Sequence, residues 1–244
     1  MPQIVQLKNF GQFGNALFRY AFARAYAEKY NAELQTSYWI GQHLFNLRDP
    51  KPSFELRLLL EADCNPKVGI VNVELCGYFQ NPDCLSLYSR EKVMEWFKFK
   101  QAISSYFPKK HPFYVAWHFR RGDYVRMQDR LCIPTEESYG YATVGILAKY
   151  GLPKNTPIVI VSEETAEFYD DPELSFLPDF FTLMQAGILL RANSTFSWWA
   201  GTLGSGLIYS PVVNRLVGHQ DVKFVPGNGE PLLSYPLHGR LDLP

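Results

Sequence analysis

Several features that would assign this chain to a broad class of protein are missing from its sequence. The 244 residues carry equal numbers of acidic and basic side chains, so the formal net charge is zero and the pI is near 7. A chain with this balance offers no overall basic surface of the kind that nucleic acids require, and we expect no nucleic-acid partner. Any anion must therefore be bound by a local group of residues.

Cysteine is scarce and is not arranged as in metal sites. No two of the four cysteines have Cys-x-x-Cys spacing, and no cluster of histidines accompanies them. We expect reduced thiols, although one disulfide among Cys64, Cys76 and Cys84 stays open for a secreted protein. Cys132 lies far from the other three in sequence.

Long apolar runs are also missing, and none approaches the ~20 residues that span a bilayer. The first residues, Met-Pro-Gln-Ile-Val-Gln-Leu-Lys, do not have the pattern of a signal peptide. We therefore expect a cytoplasmic protein without a transmembrane segment, with the membrane surface as an alternative location.

What the sequence does contain is enough apolar material for a large core. Hydrophobic residues make up 47% of the chain and aromatic residues 16%. The stretch 107–112 carries two prolines and two lysines and is the best candidate for a linker. We therefore predict two domains, 1–108 and 109–244.

The N-terminal part predicts a strand, a turn with glycines and a helix. Ile4–Leu7 is mostly apolar, and Ala16–Tyr30 has apolar residues at helical spacing. A helix that follows such a turn offers free N–H groups to an anion, which makes Gly14 part of a possible cradle. Asn15 is either a ligand contact or only the helix N-cap. A dinucleotide fold is disfavoured, because the third glycine and an acid at the end of the next strand are missing.

The strongest candidate site follows the apolar run 113–117, which predicts a buried strand. His118, Arg120, Arg121 and Asp123 come directly after this run. Ligands of open α/β sheets bind beyond the carboxyl ends of the strands, and paired arginines suit a phosphate or carboxylate. The alternative is a surface loop in which one arginine pairs with Asp123.

Two further apolar runs, 157–161 and 187–190, end in polar residues. The first is followed by Ser162–Glu164 and the second by Arg191, Ala192 and Asn193–Thr195. Parallel strands would bring all three ends to one edge of a sheet, where arginines, hydroxyls and carboxylates suit a ligand that carries phosphate. We expect Ser194 and Thr195 to lie at the start of a helix, where free backbone N–H groups suit a phosphate. We expect Trp198 and Trp199 to lie in the core.

The remaining segments give weaker predictions. We expect a strand over 71–78 and helices within 54–60 and over 91–106, 139–150 and 180–186. Asp179 should open the last of these helices, and the tail from Val212 onward should be rich in loops.

The run His118–Tyr124 resembles the His-x-Arg-Arg-Gly-Asp-Tyr motif of α-1,2-fucosyltransferases, glycosyltransferase family 11. Three other blocks, Gly11–Phe22, Gly77–Gln80 and Asn193–Trp199, are similar to segments of the same family. In the first of these blocks, Gln12 stands where the family has glycine and Ala16 where it has glutamine.

The resemblance implies an α/β, GT-B-like fold with two Rossmann-like halves, of which the N-terminal one is reduced and faces the acceptor. It implies inverting transfer of L-fucose from GDP-fucose to a hydroxyl, O2 of a terminal β-galactoside on an oligosaccharide or glycolipid. No cofactor is implied. Because the sequence has no Asp-x-Asp motif, we also expect no metal requirement.

The resemblance also assigns roles to residues. Arg120, Asn15 and Asp123 are the candidate catalytic residues, with Arg120 stabilising the leaving phosphate. The donor-binding candidates are Gly14, His118, Arg120, Arg121, Glu164, Asp179, Asn193, Ser194 and Thr195. The general base stays open between Asp123 and His118. Two alternatives also remain: a catalytically weakened binding module for sugar nucleotides or glycans, given Gln12 and Ala16, or a transferase for another donor sugar.

Overall fold

The computed structural model describes residues 3–7, 10–109, 111–126, 128, 132–162, 174–213 and 218–228, with only the backbone of Asp123. Contacts divide the chain into two compact units, Met1–Tyr106 and Phe107–Pro244. The assignment of the first unit to the acceptor and of the second to the donor stays a prediction.

The first unit is built on a four-stranded parallel sheet with the order β2-β1-β4-β3. Its strands are β1 (Ile4–Leu7), β2 (Glu33–Thr36), β3 (Arg57–Leu60) and β4 (Val73–Cys76). Val5 of β1 lies opposite Leu34 of β2 and Val73 of β4. The predicted strand Ile4–Leu7 is confirmed.

The helices of the first unit are α1 (Phe13–Lys29), α2 (Ile40–Leu44), α3 (Pro82–Leu85), α4 (Arg90–Trp96) and α5 (Gln101–Ser104). Most of α1 is buried, and its side chains Phe18 and Phe22 are inaccessible to solvent. This helix follows β1 directly and supplies much of the aromatic core of the unit.

Three predictions for this unit are wrong in detail. Helix α1 begins three residues earlier than expected, because the extended residue Gln12 precedes its first turn. The stretch 54–60 holds a strand, since β3 pairs with β4 and places Leu59 opposite Leu75. The helix predicted over 91–106 is interrupted after Trp96, where the ring of Phe97 packs into the core 5.2 Å from that of Phe45.

The second unit has a five-stranded sheet with the order β11-β9-β8-β5-β7, parallel except for β11. Two further strands, β6 and β10, form a separate parallel pair. The bounds are β5 (Val115–Phe119), β6 (Cys132–Pro134), β7 (Ile158–Ser162), β8 (Ile188–Leu190), β9 (Leu207–Val212), β10 (Gly218–Gln220) and β11 (Lys223–Pro226).

The helices of this unit are α6 (Gly122–Arg126), α7 (Glu136–Lys149), α8 (Leu177–Met184) and α9 (Thr195–Leu203). Helix α7 packs on the sheet, where Thr143 Oγ1 accepts a hydrogen bond of 2.9 Å from Trp117 Nε1. Helix α7 was predicted over 139–150 and begins at Glu136.

The C-terminal tail was predicted as loop-rich, and this prediction is wrong for its described part. Strand β11 pairs antiparallel with β9 and completes one edge of the sheet. The ring of Phe224 on β11 lies 4.7 Å from that of Tyr139 on α7, so the tail contributes to the core. Pro211 and Pro226 lie in strands β9 and β11, so these prolines do not prevent strand pairing here.

The two tryptophans near the C-terminus are core residues, as predicted. Trp199 is inaccessible to solvent, and the ring of Trp198 meets it edge-on with 5.0 Å between centroids. All four cysteines are free thiols. Among the described residues, no helix has both the length and the apolar character that crossing a bilayer demands.

Candidate functional site

The strand ends of the second unit gather at one edge of its sheet, as predicted. The parallel register places Phe119 opposite Ser162, and Trp117 opposite Leu190. The residues that follow β5, β7 and β8 therefore lie at the same edge, where open α/β sheets bind their ligands. The functional roles of these residues stay predictions.

His118 lies within β5, and the expectation that it follows the strand is wrong. The strand extends to Phe119 because His118 and Phe119 continue the ladder with Val161 and Ser162 of β7. The imidazole is buried against the ring of Phe196, with 5.8 Å between centroids. Among the described residues, none is a hydrogen-bond partner of Nδ1.

Burial, and to a lesser extent the positive charges of Arg120 and Arg191, together lower the pKa of His118 to about 3. The imidazole is therefore neutral at physiological pH. A general base works best when its pKa lies near the working pH, so His118 is a poor candidate for that role.

Arg120 is the first residue after β5, and its neighbourhood connects two of the strand ends. Its guanidinium carbon lies 5.4 Å from the ring centroid of Tyr124. The hydroxyl of Tyr124 donates a 2.8 Å hydrogen bond to the carbonyl oxygen of Asn193. This bond ties α6 to the turn between β8 and α9, which fixes the segment that carries Arg120.

Arg121 has a different environment. Its guanidinium lies 4.5 Å from the ring centroid of Phe119, and Nη2 lies 3.6 Å from Oε2 of Glu136 at the start of α7. The Glu136 side chain is largely exposed, so this pair contributes little to stability. Arg121 therefore lies beside the start of α7, but its exposed contact with Glu136 does not fix the loop. The side chain of Asp123 and all of Glu164 fall outside the described residues.

The turn from β8 into α9 has the predicted form. Ser194 is the N-cap of α9, and its Oγ accepts a 3.3 Å hydrogen bond from the backbone N–H of Phe196. Thr195 is the first residue of the helix, and Asn193 is buried. The start of α9 offers backbone N–H groups and the positive end of the helix dipole to an anion.

Arg191 is a buried residue of this edge whose role the sequence did not reveal. Its Nε donates a 2.7 Å hydrogen bond to Ser210 Oγ, and Nη1 donates to the carbonyl oxygen of Ala192 at 3.2 Å. Burial lowers the pKa of its guanidinium to about 10, so the group stays charged at neutral pH. The signal in the sequence was a charged residue at the end of an apolar run.

Asp179 was expected to open a helix and instead lies within the first turn of α8. The helix begins earlier, at Leu177, and has Pro178 near its start, a favoured position for proline. An acidic residue in the first turn is stabilised by the helix dipole. This placement fits both a structural role and the predicted role of Asp179 in binding the donor.

In the first unit, Gly14 and Asn15 lie in the first turn of α1, and Asn15 is not the N-cap. Its Oδ1 accepts a 2.9 Å hydrogen bond from Nε2 of Gln80. Gly11 has φ +83°, whereas Gln12 has φ −77° and ψ 168°. The conformation that favours glycine is therefore at Gly11, and Gln12 is not strained.

The loop after β4, Gly77–Gln80, contains both buried and accessible side chains. Phe79 belongs to the core: it is buried and stacks on Phe22 with 4.2 Å between centroids. Tyr78 is 45% exposed, and Gln80 contacts Asn15. The loop thus has a core side and an accessible side.

Arg19 of α1 joins this loop to the turn before α1, and the sequence analysis missed it. Nε donates a 3.0 Å hydrogen bond to the carbonyl oxygen of Gly77, and Nη1 donates to that of Phe10. The guanidinium also stacks on the Phe10 ring at 3.5 Å. Burial lowers the pKa of Arg19 to about 10, which leaves it charged at neutral pH.

No three His, Cys, Asp or Glu side chains come together in a metal-binding arrangement within the described ranges. No family model matches the sequence, and no curated protein matches it.

Solved structures of fucosyltransferases do match the fold. NodZ from Bradyrhizobium aligns with a TM-score of 0.56 and 14% identity, over 93% of this chain and 99% of that chain. The α-1,6-fucosyltransferase NodZ soaked with GDP-fucose aligns with a TM-score of 0.54 and 14% identity, over 93% and 100%. A variant of Arabidopsis thaliana FUT1 in complex with GDP aligns with a TM-score of 0.51 and 12% identity, over 87% of this chain and 71% of that chain. The predicted α/β fold class of GT-B fucosyltransferases is thereby confirmed.

Proposed function

We propose that this chain is an inverting glycosyltransferase that moves L-fucose from GDP-fucose to a hydroxyl of a glycan. The observation that carries the proposal is the edge of the second sheet, where Arg120 and the start of α9 follow neighbouring strands. The fold supports it as well, because the neighbours include NodZ soaked with GDP-fucose and FUT1 with GDP.

The chemistry of this edge suits departure of a nucleoside diphosphate. When an acceptor hydroxyl attacks the anomeric carbon, the bond between that carbon and the β-phosphate oxygen breaks, and negative charge collects on the phosphate. Arg120 would stabilise this charge, and the backbone N–H groups at the start of α9 would hold the neighbouring phosphate. Attack from the face opposite the leaving group inverts the configuration.

Arg191 would support the reaction without touching the donor. Its hydrogen bonds to Ser210 and to the Ala192 carbonyl fix the backbone just before the start of α9. Because Arg120 supplies positive charge to the leaving group, the proposal requires no metal ion. The general base stays unassigned, since the low pKa of His118 disfavours it.

The acceptor part of the proposal is O2 of a terminal β-galactoside, and it is supported by the His118–Tyr124 motif and the three other blocks of sequence resemblance. The alternative of a weakened binding module depended partly on Gln12. The ordinary backbone conformation of Gln12 removes that argument and favours the enzyme.

Donor recognition is tested by calorimetric titration with GDP and with UDP, both in EDTA. We expect GDP to bind without metal and UDP to bind at least about tenfold more weakly. The N1 and N2 groups of guanine can donate hydrogen bonds to a carboxylate such as that of Asp179, and uracil lacks these donors. In Asp179→Asn the affinity for GDP should fall while that for UDP stays unchanged. A folded protein that does not bind GDP, or that binds UDP with equal affinity, would contradict the proposal.

A further inference from the structure

The first unit has a second group of residues that could bind a ligand, and this group lies at the edge of the unit's own sheet. The turn before α1 follows strand β1, and the loop Gly77–Gln80 follows the neighbouring parallel strand β4. Three contacts join the two segments: the hydrogen bonds of Arg19, the edge-on contact of Phe10 with Tyr78 at 5.5 Å, and the bond between Gln80 and Asn15.

Gly11 lies between these segments, and we call the surface formed by Gly11, Asn15, Tyr78 and Gln80 the notch. A Cβ atom built on Gly11 would lie 3.3 Å from Cβ of Asn15, 3.7 Å from its Nδ2 and 3.6 Å from Cε1 of Tyr78. The amide of Asn15 and the ring of Tyr78 therefore both flank Gly11. A side chain at this position would press against Asn15, and the φ of +83° disfavours residues other than glycine.

The notch presents both hydrogen-bonding capacity and an aromatic surface. Oδ1 of Asn15 accepts from Nε2 of Gln80, and no hydrogen bond of the described residues occupies Nδ2 of Asn15 or Oε1 of Gln80. These atoms are two donors and an acceptor in fixed positions, because Gln80 is 7% exposed and held by its neighbour. Beside them Tyr78 is 45% exposed.

An amide pair next to an accessible aromatic ring suits a neutral sugar. Sugar hydroxyls both donate and accept hydrogen bonds, and the apolar face of a pyranose packs against an aromatic ring. We infer that this notch is the subsite for the acceptor sugar, with Tyr78 as the stacking platform and the Asn15–Gln80 pair as the hydroxyl contacts. The inference rests on the proposed function and adds the residues that recognise the acceptor.

Arg19 is a positioning residue for this subsite. It touches the carbonyl oxygens of Phe10 and Gly77 and stacks on the Phe10 ring, which in turn meets Tyr78. Glu61 also holds the loop, because its Oε2 accepts a 2.7 Å hydrogen bond from the N–H of Tyr78. The platform is thus fixed by contacts with Phe10 and with Glu61.

The test measures lactose, a β-galactoside, as a ligand and as an acceptor. Tyr78→Ala should weaken lactose binding and raise its KM by about tenfold, because the stacking surface is lost. The kcat and the affinity for GDP should change little. Tyr106→Ala is the matched control, since Tyr106 is an 83% exposed tyrosine of the same unit outside the notch.

Arg19→Gln should raise the KM for lactose in the same way at nearly constant kcat, and Arg24→Gln on the same helix should not. A purely structural role of Arg19 would lower the amount of folded enzyme and hence the apparent kcat, leaving KM unchanged. Should Arg19→Gln fail to fold, Tyr78→Ala decides the matter alone, because its side chain is accessible.

The inference is overturned if the wild-type chain does not bind lactose, or if Tyr78→Ala and Tyr106→Ala bind it equally well. GDP titration of the same samples reports separately on the proposed function. A protein that binds GDP and transfers fucose while Tyr78→Ala keeps a normal KM would refute the subsite and leave the function standing.

Discussion

Replacing Arg120 by alanine is expected to slow fucose transfer by about 10²–10³-fold while the protein stays folded. Arg120 directly follows β5, and its segment is tied to the β8–α9 turn by the 2.8 Å bond from Tyr124 to Asn193. A charge held in this way needs no reorganisation when the phosphate leaves, which is why its loss affects the transition state strongly. The measurement is kcat/KM with GDP-fucose as donor.

Arg126→Ala is the matched control for this experiment. Arg126 ends the short helix α6 that follows Arg120, and it is exposed. Its removal should leave both the rate and the thermal midpoint nearly unchanged. If Arg120→Ala kept its activity with an unaltered unfolding midpoint, the role assigned to Arg120 would be wrong.

The second large effect concerns the pH dependence of stability. His118 has its pKa lowered from 6.5 to about 3 by burial, with Arg120 and Arg191 acting in the same direction. Below pH 6.5 the unfolded chain binds a proton at this residue and the folded chain does not. The free energy of unfolding should therefore fall by about 1.4 kcal/mol for each pH unit between 6.5 and 3 because of this residue.

Urea unfolding at several pH values between 7 and 4 measures this slope. His118→Gln should show a shallower pH dependence than the wild type, whatever its stability at pH 7. His111→Gln is the control, because His111 is an exposed histidine of the same unit. Equal slopes for the wild type and His118→Gln would mean that His118 is not held neutral.

Much of the edge of the second sheet could be predicted from the sequence, because it depends on local patterns. The apolar runs that became β5, β7 and β8 are short and end in polar residues, so a parallel arrangement fixes which residues meet. Ser194 and Thr195 were placed correctly at a helix start, since capping depends on neighbouring residues only.

The buried charges could not be predicted in the same way. The burial of Arg19 and Arg191 depends on partners distant in sequence, the carbonyl of Gly77 for one and the hydroxyl of Ser210 for the other. His118 was placed outside its strand because polarity alone suggested an end. Pairing with Val161 of β7 kept it inside. Tertiary contacts decided all three cases.

The most direct test of the central claim is transfer by the wild-type protein itself. GDP-fucose labelled in the fucose is incubated with lactose in EDTA, and the products are separated and their linkage determined. The proposed function predicts labelled fucosyl-lactose with an α-1,2 linkage, together with an equal amount of GDP. A folded protein that binds GDP and yet neither transfers nor hydrolyses fucose, or that prefers another sugar nucleotide, would contradict it.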